Sequence, residues 1–291
     1  MGKRREPSPL AGGWDETARL RGPALAAVAS VIVAILVYAL GVEAWRIVTF
    51  GGTLPFYLLA LPIAFHWLGP RRGVGLIASL AVTVAATDAL KDLLDLPRPP
   101  RELWLVEAEG PGFPSGHASS SASFWGYLAL ARPTPYTFIA SILVPGLVGA
   151  SRIALNVHYP HDVAGGLLLG YTMAALAWAL QARLSPYTLL AAATLAAGAL
   201  EALSFARLEV VAAPLGSLAG IAAYKKLAGE EPLGVKAGVM GSLAALALGA
   251  PAAALEDEIV DLLSTATAAF GAIAIPPLAL TRARTYRRRE S

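Results

Sequence analysis

The chain has 291 residues, of which 56% are hydrophobic and 15% charged, with a formal net charge of +3 and a mean hydropathy of +0.59. That balance excludes a soluble globular domain, which needs a larger polar surface, and defines an integral membrane protein. There is no cysteine, which rules out disulfides and thiolate metal sites, and the four histidines form no His/Cys cluster suited to zinc.

Residues 1–22 are polar and mixed in charge. The apolar run that follows, Pro23–Val42, has about the 20 residues of a spanning helix and is too long for a signal-peptide core. It is read as a retained first helix. Apolar runs then recur at Leu54–Leu68, Val74–Leu90, Ala118–Ala131, Thr137–Ala150 and Val163–Ala182. Four more, at Tyr187–Leu203, Val210–Ala223, Val235–Ala254 and Ile259–Leu280, are rich in Ala and Gly, and small residues favour close helix packing in lipid. The expected fold is all-α, a polytopic bundle of ten spans. Its parts are an N-terminal segment (1–22), a six-helix core (23–182), additional helices (183–281) and a basic tail (282–291).

The basic residues lie between the apolar runs, so the net charge gives no case for nucleic acid. It does orient the chain. With the N-terminus in the cytoplasm, the inside segments carry Arg19, Arg21, Arg71, Arg72, Arg132, Arg183, Lys225, Lys226, Lys236 and the tail cations from Arg282 to Arg289. An even number of spans returns the C-terminus to the same side. Arg46, Arg207 and the acidic Glu256–Glu258 run then fall outside, together with three polar blocks.

Those blocks are Lys91–Pro99 (KDLLDLPRP), Pro114–His117 (PSGH) and Ser151–Asp162 (SRIALNVHYPHD). Charge near a bilayer is expensive and is retained mainly for function. Lys91 ends the third span, and Arg98 follows a helix expected to stop at Pro97, before the stiff Pro99-Pro100 pair. A compact ammonium and a planar fork suit phosphate oxygens, although either residue could simply snorkel to the interface. Ser115 stands where the fourth span needs an N-cap. Gly116 lets an anion approach the free amides, and His117 in the first turn could face it. Alone, the block could be a plain cap beside an interfacial histidine. Arg152 ends the fifth span; His158 and Asp162, four apart, share one side of the sixth helix's start, with Pro160 in its first turn. Asp162 can accept one imidazole N–H and leave the other nitrogen free to attack, or it can be an ordinary cap.

Together the blocks resemble the type 2 phosphatidic acid phosphatase superfamily, which includes lipid phosphate phosphatases and vanadium haloperoxidases. The family pattern is Lys, six residues, Arg-Pro; then Pro-Ser-Gly-His; then Ser-Arg, five residues, His, three residues, Asp. All eleven specified positions are matched in order. The resemblance covers roughly Leu54 to Ala182 and implies a six-helix core and a metal-independent phosphatase without cofactor. It further implies that Lys91, Arg98, Arg152, Ser115 and the Gly116 amide hold the phosphoryl oxygens. On that pattern His158 attacks phosphorus to give a phosphohistidine, His117 protonates the leaving group and then activates water, and Asp162 orients His158.

Outside the pattern, His161 and His66 are read as interfacial or packing residues, and Glu201 as snorkelling. Leu103, Trp104 and Leu105 suit contact with lipid headgroups, so the expected partners are membrane lipids and a phosphorylated lipid substrate. A lipid monophosphate and a polyprenyl diphosphate fit equally, and a loop that only seals the site would admit a water-soluble ester. Two other activities share these residues. One is phosphate transfer to a lipid or sugar acceptor. The other is a transporter or flippase that keeps the cage as a binding site. The C-terminal helices carry no catalytic block, and their small-residue faces are expected to serve structure or homo-oligomerisation.

Overall fold

The computed structural model of the chain describes residues 41–204, 209–228, 232–249 and 267–280. Among them the secondary structure is helical throughout. In chain order the helices are α1 (Val42–Thr49), α2 (Leu54–Leu68), α3 (Pro70–Leu94), α4 (Gly116–Ala131) and α5 (Pro135–Ala154). After these come α6 (Pro160–Gln181), α7 (Pro186–Ser204), α8 (Glu209–Ala228), α9 (Val235–Gly249) and α10 (Thr267–Leu280). Nearly all of the expected first span, the N-terminal segment, the Glu256–Glu258 run, the start of the last expected span and the basic tail lie outside the described residues.

Among the described residues three helices, α3, α5 and α6, are long and apolar enough to cross a membrane. A fourth crossing forms if α1 and α2, bent by 50° at their junction, act as one. The apolar parts of α7, α9 and α10 are shorter.

Helix ends follow local chemistry. Gly69, at φ 80°, separates α2 from α3, whose first residue is Pro70. Asp95 closes α3 in the left-handed region, at φ 43°. This helix therefore stops at Leu94, short of the expected Pro97. A reciprocal Thr134–Thr137 box opens α5. Asn156 takes the left-handed turn after it, at φ 57°, a conformation that asparagine tolerates better than most residues.

The centre of the bundle is α3, α4 and α6, with α5 packed on α4. Tyr57, Leu76, Leu80, Phe124, Tyr127 and Leu128 form its apolar core. Gly166 and Gly170 of α6 meet the backbone of α4, where a side-chain carbon on Gly170 would strike the Ser119 carbonyl. Between α3 and α4 runs a polar seam with a period of four. Gly75, Ser79, Thr83, Thr87 and Lys91 stand on one helix, and Ser115, Ser119, Ser123 and Tyr127 on the other. Thr87 Oγ1 and Ser119 Oγ are 2.8 Å apart, and Ser79 Oγ and Ser123 Oγ 2.7 Å. Hydrogen bonds between buried hydroxyls fix the relative height of the two helices in a way that apolar contact cannot. The seam thereby sets Lys91 level with the start of α4.

The later helices dock behind this core. Phe65, Val74 and Ile77 pack with Leu189, Leu190, Ile221, Tyr224 and Ile273. Gly238 of α9 lies against the Ile63 backbone of α2, and Gly220 of α8 against Ile273 of α10. These small-residue approaches, expected to serve structure or oligomerisation, are used within the chain.

Candidate active site

All three polar blocks converge at one end of the bundle. Lys91 comes from the last turn of α3, Ser115 to His117 from the start of α4, Arg152 from the last turn of α5, and Asp162 from the first turn of α6. Antiparallel neighbours connected in this order present those four ends on the same face. At the opposite end, Arg71 donates to the Gln181 carbonyl, and Arg132 donates to the Trp67 carbonyl and covers the Trp67 ring at 4.9 Å.

His158 is buried and sits two residues ahead of α6, not on it. Its Nδ1 lies 3.4 Å from Asp162 Oδ2, and its Nε2 accepts from Arg98 Nη1 at 2.9 Å. This network assigns the proton to Nδ1 and the lone pair to Nε2. Burial first, then the charges of Arg98, Lys91 and Arg152, pushes the His158 pKa down to about 2. The imidazole is therefore neutral, the state a nucleophile requires.

Asp162 is fully buried. Besides His158 it accepts the Tyr159 amide at 2.8 Å, so it caps α6 and orients the histidine at once. Its other oxygen lies 3.2 Å from the exposed His161 Nε2. His161 stacks on Tyr159 and Phe113, at centroid distances of 5.4 and 6.4 Å. It is thus a neighbour of the buried Asp162 carboxylate and not only an interfacial residue.

The cations are held by backbone carbonyls. Arg98 donates to Gly110, Glu109 and Val157, and Lys91 Nζ donates to Pro111 at 2.6 Å. Arg152 Nη1 donates to Thr49 Oγ1 at 2.8 Å. His117 stands within electrostatic reach of Arg152, Arg98 and Lys91. Ser115 is the N-cap of α4 but its hydroxyl makes no capping bond. Among the described residues the buried Ser115 Oγ and Arg152 Nε have no hydrogen-bond partner, although such groups are costly to bury unpaired. Unpaired donors, the first amides of α4 and three cations are a chemistry suited to a tetrahedral anion.

All eight residues singled out in the sequence thus lie at one end of the bundle. Thr49 is not among them, because it belongs to no motif. The loop reading needs one correction. Leu103 and Leu105 are exposed, but Trp104 is half-buried and its indole donates to the Pro99 carbonyl at 2.8 Å. His66 is buried in α2, and its Nε2 donates to the Ala272 carbonyl of α10. The Glu201 side chain lies outside the described residues.

Comparison with known proteins matches residues 72–186 to the PAP2 superfamily. The decaprenylphosphoryl-5-phosphoribose phosphatase of Mycobacterium tuberculosis is 37% identical over 111 residues, covering 36% of this chain and 60% of its own length. Lipid phosphate phosphatase 2 of Arabidopsis thaliana is 30% identical over 138 residues, covering 35% and 47%. The chain thus matches less than two thirds of the length of either. A transmembrane PAP2-type phosphatidylglycerolphosphate phosphatase from Bacillus subtilis aligns over 58% of this chain and 96% of its own, at 24% identity and a TM-score of 0.43.

Proposed function

We propose that the chain is a metal-independent membrane phosphatase that hydrolyses a lipid phosphate or polyprenyl diphosphate through a phosphohistidine on His158. The observation that carries this reading is the pairing of a neutral, Asp162-oriented His158 with buried, unpaired donors on Ser115 and Arg152. A binding site alone has no need of the oriented nucleophile.

In the first step the His158 Nε2 lone pair attacks phosphorus in line, and the bond from phosphorus to the leaving oxygen breaks. Arg98 Nη1, which occupies Nε2 in the free protein, turns to a phosphoryl oxygen beside Lys91 and Arg152. His117, which takes up a proton when the anionic phosphate neutralises the cage, gives that proton to the departing oxygen. In the second step His117 takes a proton from water, the water oxygen bonds to phosphorus, and the P–N electron pair returns to Nε2. Free phosphate leaves. Asp162 keeps the proton on Nδ1 and offsets the positive charge that develops on the ring. Fixed cations supply what divalent ions supply in many phosphoryl-transfer enzymes, and this positive cage would repel a metal ion.

An amphiphilic substrate is favoured by the rim. Ile47, Leu93 and Leu103 are 72%, 78% and 54% exposed around the mouth. Arg71, Arg72, Arg132 and Arg183 collect at the other end, which supports a cage on the non-cytoplasmic face and cytoplasmic termini. The test is phosphate release by the detergent-purified chain in EDTA from phosphatidic acid, a polyprenyl diphosphate and a soluble sugar phosphate, with His158→Ala as control. Release from a lipid substrate, lost in the variant, is expected; no release from any of the three would reject a hydrolase.

A further inference from the structure

The segment before the PAP2 region enters the cage at two points. Thr49, the last residue of α1, is buried and accepts the 2.8 Å bond from Arg152 across 103 residues of sequence. Other buried helical threonines behave differently: Thr83, Thr87 and Thr194 donate to the carbonyl four residues back. Three residues on, in the 3₁₀ turn Phe50–Gly52, the chain presses against His117. A side-chain carbon at Gly52 would lie 2.7 Å from His117 Cβ and 3.0 Å from its Cα. The same element is tied to the far rim, where Arg46 Nη2 donates to the Leu105 carbonyl at 3.0 Å and the Leu105 amide to Leu155.

We propose that the Thr49–Gly52 turn is a wall of the phosphate cage: Thr49 is a positioning residue that aims Arg152, and Gly52 leaves the space in which His117 stands. An arginine has many rotamers, and a buried acceptor removes that freedom before substrate arrives. With Nη1 held by Thr49, the unpaired Nε is left for the ligand. The Gly52 contact similarly limits where the imidazole of His117 can swing. The inference rests on the active-site reading above.

The test uses the full chain, with phosphate release and orthovanadate affinity as separate readouts and thermal unfolding alongside. Losing a hydrogen bond to a charged group in the transition state should lower kcat/KM of Thr49→Val roughly tenfold to a hundredfold, with a parallel loss of orthovanadate affinity. Thr49→Ser, which keeps the oxygen, should restore both. Gly52→Ala tests the turn independently of Thr49 packing. It displaces His117, so it should slow an alkyl phosphate more than p-nitrophenyl phosphate, whose leaving group needs no proton. Wild-type kcat/KM and orthovanadate affinity in Thr49→Val, or a fall in thermal stability alone, would overturn the inference and leave the active-site reading standing. Wild-type protein that neither binds orthovanadate nor releases phosphate would refute the active-site reading and this inference with it.

Discussion

Replacing Asp162 by Asn isolates the charge of the buried carboxylate. Both bonds that fix the local geometry, from the Tyr159 amide and from His158 Nδ1, go to the same oxygen, Oδ2. An asparagine with its carbonyl oxygen there keeps both and stays isosteric. What disappears is the negative charge 3.4 Å from a ring that turns cationic when Nε2 bonds to phosphorus. At an effective dielectric near 20 that separation is worth about 5 kcal/mol, so kcat should fall roughly a thousandfold or more. Single-turnover phosphate release from the same lipid substrate is the assay, with thermal unfolding to confirm an intact fold. A folded Asp162→Asn enzyme within tenfold of wild type would refute the argument that the carboxylate stabilises the phosphohistidine.

Other outcomes follow from the same geometry. Because the His158 pKa lies below the unfolded value, the unfolded chain takes up a proton that the folded chain refuses, and stability is lost as pH falls from about 6.5 toward 2 at about 1.4 kcal/mol per unit. The melting temperature of wild type should therefore drop more steeply between neutral and pH 4 than that of His158→Gln; parallel curves would contradict it. Phosphate release should survive EDTA and be inhibited by orthovanadate, a mimic of the trigonal-bipyramidal phosphorus; loss on chelation, restored by a divalent ion, would remove the metal-free mechanism. Gly170→Val should destabilise the protein by about 1–3 kcal/mol through the clash of α6 with the Ser119 carbonyl, whereas Gly146→Ala, which meets nothing within 4 Å among the described residues, should be tolerated. Equal expression and melting of the two would show that the α4–α6 approach is not tight.

Much of the site was legible because its residues sit at helix ends in short motifs. Lys91, Ser115, His117, Arg152 and Asp162 could be placed from where apolar runs begin and stop. The runs themselves marked lipid-compatible stretches and not helix length. Thus α3 continues through Asp88, Lys91 and Asp92 to Leu94, and α5 begins at Pro135 and ends at Ala154, beyond its apolar run at both ends. The His158–Asp162 spacing predicts a shared helix face, yet His158 precedes the helix. The pair meets because Asp162 reaches back to cap it. Thr49 was illegible for a different reason: a threonine between a short amphipathic helix and two glycines carries no periodic signal. Only the fold brings it to Arg152. Likewise, four-residue spacing in α3 and α4 was visible in principle, but the pairing of Thr87 with Ser119 depends on the height at which the helices pack.

The most direct measurement of the central claim is to mix the enzyme with a radiolabelled lipid phosphate, quench in alkali, where an N–P bond survives, and map the labelled peptide. Label is expected on His158, absent in His158→Ala and, with a substrate whose leaving group needs no proton, accumulating when His117 is replaced. Turnover without label on His158, or label on another residue that persists in His158→Ala, would contradict the claim.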